Sequence, residues 1–253
     1  MDGPSTSNPI TERNRRAWET GRFDLWVSFL GPPAKVAASM KSDPDIRALR
    51  RLLPYLGEVV GRRIVNLQGS HGRLAVALSL KGADVTVIDF SEPNRRYALA
   101  LADAADAQID YRLADVMSAA ALGLSPFDAV VMELGILHYH QDIAAFFGIC
   151  ASLTRPGGRM VLNEFHPVQR KLMSPSATGD YFADALVEGP APAPPGYPPP
   201  GETCAYRFWT LGEIFHAALA SGWRIDRFDE HPDTDNPLIP GTFTLVATRR
   251  PEA

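Results

Sequence analysis

Five short apolar runs, most of them separated by a helical stretch, dominate the middle of this 253-residue chain. Residues 63–68 (RIVNLQ) read as a buried strand, and residues 74–81 as a helix closed by Gly82. Residues 83–89 form a second strand rich in β-branched side chains, and residues 92–107 an alanine-rich helix. Strands are expected again at 109–113, 127–133 and 159–165, with a helix at 143–153 and the turn Arg155-Pro156-Gly157-Gly158 before the last strand. Repeated strand–helix–strand units give a parallel sheet with helices on both faces. Ligands of such sheets sit beyond the carboxyl ends of the strands, near the switch in strand order.

The flanks are less regular. Thr210 and Glu213 have capping-box spacing at the start of a helix over 210–221. Strands at 223–230 and 242–248 follow, joined by a Pro- and Asp-rich loop, which implies an antiparallel final strand. Residues 10–56 show an interrupted helical pattern. A helix is expected to begin at Ser42-Asp43-Pro44-Asp45 and to carry Ile46, Leu49, Leu52, Leu53 and Leu56 on one face. Regularity stops between 167 and 208, where a proline-rich run from Gly189 to Gly201 resists helix and strand interiors. A long irregular segment in a compact domain is functional or disordered. Because it follows the fifth strand, it reads as a substrate cover. The chain thus divides into an N-terminal helical arm or lid (1–57), a core (58–166), a Pro-rich cap insertion (167–208) and the C-terminal part of the core (209–253).

Composition excludes several classes. A net charge of −4 with acids balancing the arginine clusters gives no nucleic-acid footprint. Two distant cysteines make neither a disulfide framework nor a zinc site, and Cys150 lies in an apolar run as a small buried hydrophobe. The opening MDGPSTSNPITERNRR lacks an apolar signal core, and no run of about 18 apolar residues occurs. The expectation is a cytoplasmic protein with no membrane or nucleic-acid partner, acting on a small molecule as a monomer or homodimer.

Three strand ends carry the chemistry. Gly69 and Gly72 follow the first strand, where glycine allows close backbone approach and a helix N-terminus offers free N–H groups. Their spacing is not that of a dinucleotide loop. Asp89 ends the second strand twenty residues after Gly69, where a carboxylate can accept both ribose hydroxyls of an adenosine. Phe90 beside it can cover the adenine or ribose. Asp115, after the third strand, can accept the exocyclic amine of adenine, with the Val116 N–H facing a ring nitrogen.

This series resembles the class I S-adenosylmethionine (SAM) dependent methyltransferase superfamily. The resemblance covers roughly residues 61–249 and rests on QGSHG, VIDFS, the Asp115 position, FDAVVMELGILHY and the RPGG turn. The variants LQGSHG and NEFHP resemble a bacterial subgroup of small-molecule methyltransferases. The resemblance implies a Rossmann-like α/β fold with seven strands in the order 3-2-1-4-5-7-6, strand seven antiparallel. It implies SAM as cofactor, S-adenosylhomocysteine as product and Asn66, Gln68, Gly69, Ser70 and Gly72 in the cofactor loop. The family pattern D-x-G-x-G-x-G is not kept: Asn66 replaces the acid, and Gln68 and Ser70 replace two glycines. An Asn carbonyl can still accept the methionyl ammonium, without the charge.

The fourth strand runs into Met132-Glu133-Leu134-Gly135-Ile136-Leu137-His138-Tyr139-His140. Leu134 and Gly135 can offer carbonyls to the sulfonium side. Methyl transfer depends mostly on aligning donor and acceptor, and His138 has the intrinsic pKa of a base near neutrality. Glu164 and His166, two apart at the end of the fifth strand, are expected on one face as a further catalytic pair. No metal is expected, since a third ligand would have to come from His138 or His140. Trp18 and Trp26 in the arm can close the site against water, and Tyr139 and Tyr181 are candidate substrate walls. The expected activity is methyl transfer from SAM to N or O of a small metabolite, in a natural-product pathway of a GC-rich bacterium. The rivals are a catalytically silent SAM-fold binding protein and a nicotinamide-dependent oxidoreductase.

Overall fold

The computed structural model describes residues 8–43, 49–174, 177, 179–194, 196–198 and 202–251. Nine strands and eight α-helices are present among them. β1 (Arg63–Leu67), β2 (Asp84–Asp89), β3 (Ile109–Leu113), β4 (Phe127–Glu133) and β5 (Thr154–Phe165) are parallel neighbours in the order β3-β2-β1-β4-β5. β8 (Trp223–Pro232) and β9 (Pro240–Arg249) complete a seven-stranded sheet in the order β3-β2-β1-β4-β5-β9-β8. β9 runs antiparallel to β5 and to β8. This is the Rossmann-like sheet expected from the sequence. β5 begins earlier than expected, because Thr154 already pairs with Phe127 and a bulge follows in that register.

Helices cover both faces. α5 (Arg73–Leu80) and α6 (Glu92–Ala105) bury their apolar stripes on one side with β1 and β2. On the other side α7 (Ile143–Leu153) and α8 (Leu211–Ala220) pack on β4, β5 and β9. Phe146, Phe147, Trp223 and Phe243 are fully buried there, each contributing about 2–3 kcal/mol of apolar burial. Trp223 also donates its indole N–H to Phe147 O at 3.1 Å, so its one polar atom is satisfied. Helix starts follow local chemistry. Ser91 caps α6 by accepting from Asn94 N, and Thr210 and Glu213 form the reciprocal capping box of α8.

The N-terminal region corrects one expectation. α1 (Pro9–Glu19) and α2 (Arg22–Leu30) are followed by α3 (Pro33–Ser42), which ends where a helix was expected to begin. Pro44 and Ile46 lie outside the described residues. Among the described residues of that stretch, Leu49 and Leu52 are buried in a turn and the helical part is α4 (Leu53–Leu56). The leucines reach the core by turns because Pro54 lies within the first turn of α4, a place proline tolerates only near a helix start.

The cap is also more ordered than its prolines suggest. β6 (Val187–Pro190) and β7 (Thr203–Tyr206) form an antiparallel pair. α1 lies against it: Asn14 is 2% exposed and trades two hydrogen bonds with Ala205. Arg13 reaches Glu188 at 2.6 Å. A small apolar cluster of Ala17, Ala191, Cys204, Tyr206 and Phe208 seals the contact. Arm and cap, expected as separate pieces, form one cover over the carboxyl end of the sheet. No described helix is long and apolar enough to cross a membrane.

Candidate active site

A cavity of about 920 Å³ opens at the carboxyl ends of β1, β2 and β4, under the arm and cap. Its size falls in the range of small-molecule sites. The loop after β1 supplies its floor. Gln68 and Ser70, which stand where glycines belong in the family pattern, both have φ of 48°. Side chains other than glycine rarely adopt this left-handed region. The loop has kept the glycine backbone without the glycines, and the cost is local strain of the kind found at functional sites. Gly69 must be glycine for another reason: a Cβ there would lie 2.5 Å from Asn66 Oδ1 and 2.8 Å from Val87 Cγ1. Asn66 is 2% exposed and donates to Val131 O, while its Oδ1 has no partner among the described residues. A buried acceptor without a donor is costly, and Asn66 is among the residues that line the cavity.

Gly72 is placed differently from expectation. It does not line the cavity; a Cβ on it would meet Ala98 Cβ at 2.4 Å. Its role is close packing of α5 on α6, with φ of 74° at the start of α5.

Asp89 lines the cavity at the end of β2. Its Oδ2 accepts Ser70 N at 2.9 Å and its Oδ1 accepts Ser91 N at 2.8 Å. Burial pushes its pKa up to about 6, against these two backbone N–H bonds and a further hydrogen bond from the Asn94 side chain. Phe90, Asp115 and Val116 border the same cavity. Asp115 Oδ1 caps the turn after β3 by accepting Met117 N at 3.0 Å.

The segment after β4 carries the strongest constraint. Leu134 has φ of 48° and Gly135 φ of 84°, and Leu134 N donates to Asn163 O at 2.7 Å. Both residues line the cavity. Glu164, expected as a catalytic group, is instead the anchor of this segment. It is 3% exposed, and its carboxylate accepts Gly135 N, Ile136 N, Leu137 N and its neighbour Phe165 N. Four N–H donors leave it no free lone pair directed at the cavity, which it does not line. His166 is likewise outside: buried at 2%, it accepts Val168 N on Nδ1 and lies 2.9 Å from Glu230 Oε1. The expected Glu164–His166 pair is not brought together at the site.

His138 does line the cavity. Its ring sits among Tyr139, Tyr206 and Phe208, with centroids 4.4, 5.1 and 6.1 Å away. Burial, reinforced by Arg170 and His140, holds it well below the ordinary histidine pKa. It is therefore a neutral imidazole, and its Nε2 has no hydrogen-bond partner among the described residues. His140 borders the cavity too, stacked 4.0 Å from Phe146 and 3.0 Å from Gln68 Oε1, with burial pushing its pKa down to about 3. This bond fixes the Gln68 side chain on the strained loop.

The arm brings Trp18, Trp26 and Asn14 to the cavity. Trp18 donates to Tyr139 OH at 2.9 Å, and Trp26 donates to Asn94 Oδ1 at 2.7 Å and meets His71 edge-on. Tyr139 lines the wall as expected positionally, whereas Tyr181 does not: its hydroxyl accepts Leu211 N at 3.2 Å, outside the cavity. Arg73, Glu133, Arg170, Tyr206 and Phe208 also line it, and sequence reading did not single them out as site residues. Glu133 carried a signal, since it ends β4 as Asp89 ends β2. Arg170, Tyr206 and Phe208 lie in the cap, where no periodicity tells which side chain faces inward. Among the described residues no group of three His, Cys, Asp or Glu side chains is placed to hold a metal ion.

Comparison with known proteins gives a coherent set. Residues 64–158 match the family described as a methyltransferase domain. A ubiquinone biosynthesis O-methyltransferase of Alkalilimnicola ehrlichii is 30% identical over 193 residues, 75% of each chain. An S-adenosylmethionine-dependent methyltransferase structure from Mesorhizobium loti is 26% identical, with a TM-score of 0.59 over 83% of this chain and 100% of that one. Another such structure, from Clostridium acetobutylicum, shares the fold with a TM-score of 0.64 at 13% identity, covering 89% of this chain and 99% of the other.

Proposed function

Since the chain belongs to the class I family of SAM-dependent methyltransferases, we propose that it methylates a hydroxyl oxygen of a small metabolite inside the cavity over β1, β2 and β4. The single observation behind this reading is the run of groups along that cavity. It leads from Asp89, Phe90 and Asp115, past Asn66, to the neutral His138; Asn66 Oδ1 and His138 Nε2 have no hydrogen-bond partner among the described residues.

The residues fit SAM. Asp89 takes the ribose hydroxyls, and Phe90, Asp115 and Val116 take the adenine. Asn66 Oδ1 is an acceptor lacking a donor, and the methionyl ammonium is a donor. Arg73 and Glu133 offer opposite charges for the methionyl zwitterion, with Gln68, Gly69 and Ser70 as the floor and the Leu134 and Gly135 carbonyls toward the sulfonium. Bound there, SAM supplies an electrophilic methyl group that passes to the acceptor oxygen, leaving S-adenosylhomocysteine.

His138 acts on the acceptor. A neutral imidazole accepts the hydroxyl proton, and Nε2 is the atom left without a partner. Its depressed pKa makes it a weak base, so its larger contribution is orientation of the hydroxyl for in-line attack. Trp18, bound to Tyr139, and Trp26, bound to Asn94, close the arm over the reactants and exclude water. The cap, 167–208, forms the acceptor side of the wall. Oxygen is favoured over nitrogen because the curated relative is named an O-methyltransferase. A role in natural-product biosynthesis belongs to the same proposal and rests on the enclosed site and the family resemblance.

Titration with S-adenosylhomocysteine, followed by mass spectrometry of a phenol and alcohol panel incubated with SAM, tests the reading. Heat of binding and a methyl ether of one panel member are the expected results. Absence of both would remove it.

A further inference from the structure

At the acceptor end of the cavity stands a cation, Arg170, that lines the wall and makes no direct ion pair among the described residues. Arg170 lies in the turn of Gln169–Met173 just after β5, and its guanidinium carbon is 3.7 Å above the Phe165 ring. It lines the cavity, and its Nε is buried without a hydrogen-bond partner among the described residues. The Glu164 carboxylate acts on this guanidinium through space, but its oxygens are taken by four backbone N–H groups. The cap's own acid on the cavity, Glu188, is paired with Arg13 instead. A guanidinium keeps its charge at every relevant pH, and a half-buried charge whose donors are not directly paired is costly.

The walls near Arg170 are aromatic. Tyr206 and Phe208 are stacked with rings 12° apart, and Tyr139 lies 5.6 Å from Tyr206. His138 shares this wall and feels the Arg170 charge, which helps to keep it neutral. Arg22 adds a second positive charge behind the wall. It is fully buried, 4.0 Å over the Trp18 ring, and leaves Nε and Nη2 without partners among the described residues. An aromatic slot with a guanidinium fork at one end matches a planar acid, because the fork binds carboxylate through two parallel hydrogen bonds.

We propose that the methyl acceptor is an aromatic carboxylate: its ring lies among Tyr139, Tyr206 and Phe208, its carboxylate on Arg170, and its hydroxyl at His138. This rests on the methyl-transfer reading and adds the class of acceptor to it. Arg170 is then the residue that sets specificity.

The test uses the whole protein saturated with S-adenosylhomocysteine. 4-Hydroxybenzoate, 4-hydroxyphenylacetate and a hydroxynaphthoate are titrated, each beside its own methyl ester. At least one acid should outbind its ester about tenfold or more, the worth of a charge-assisted hydrogen bond. Arg170→Gln should bring that ratio within about twofold while leaving S-adenosylhomocysteine affinity within about twofold of wild type. Arg170→Lys keeps the charge without the fork and should retain part of the discrimination; it carries the test if the glutamine variant does not fold. A panel in which no acid outbinds its ester overturns the proposal. So does a tenfold loss of S-adenosylhomocysteine affinity in Arg170→Gln, which would assign the guanidinium to the cofactor's own carboxylate. Failure of the wild type to take up S-adenosylhomocysteine at all is a different result, and it strikes the methyltransferase reading itself.

Discussion

The Glu164 carboxylate, on β5, accepts the backbone N–H of Gly135 at 2.7 Å, across from the end of β4. With Ile136 and Leu137 bound to its other oxygen at 2.6 and 3.0 Å, it shapes the turn that presents His138. Glu164→Gln puts an amide N–H where a backbone N–H must be accepted. The expected loss of stability is about 2–4 kcal/mol, as for a broken buried charged network. Chemical denaturation measures it. A variant of wild-type stability and no activity would restore Glu164 as a proton acceptor.

Ser70 combines two local costs, φ of 48° and a buried hydroxyl with no partner among the described residues. Ser70→Gly removes both, less the extra chain entropy of glycine. The apo protein should gain about 1 kcal/mol, seen as a higher melting temperature. S-adenosylhomocysteine affinity should fall, because the hydroxyl is kept for the ligand. A stabilised variant of unchanged affinity would show that Ser70 serves neither fold nor cofactor.

Asp89 gives a pH dependence with a fixed sign. Its pKa is raised by burial to about 6, from 3.8. Its contribution to stability is therefore fully present below about pH 3.8 and is lost as pH rises through about 6. Cofactor binding runs the other way, since only the ionised carboxylate accepts both ribose hydroxyls. S-adenosylhomocysteine affinity should be flat above about pH 7 and weaker by about tenfold at pH 5. Calorimetry across that range checks it. An affinity constant down to pH 5 would detach Asp89 from the ribose.

His138→Gln removes the imidazole but leaves the cofactor residues in place. Turnover should fall by about 100-fold, the order of loss when an acceptor is no longer held aligned for attack. S-adenosylhomocysteine affinity should hold within about twofold. Single-turnover rates separate the two effects, and an unchanged rate would mean that alignment elsewhere suffices.

The sequence by itself determined the sheet, because β-branched runs and helical stripes repeat with periods that neighbouring residues impose. That Asp89 and Asp115 stand at the cavity was legible for the same reason: one ends β2, the other follows β3, and parallel strands must end on one edge. Gly72 and Glu164 show where that logic stops. A glycine after β1 suits a ligand or a neighbouring helix equally well, and the Ala98 methyl, only 2.4 Å from where a Cβ would sit, decides for the helix. A carboxylate at a strand end is free or consumed according to which N–H groups another strand delivers. The cap was least legible, since proline-rich chain has no periodicity from which to infer an inward face. Which of its side chains meet the ligand, Arg170 above all, is set by long-range packing of arm, cap and sheet. No local pattern of residues encodes that.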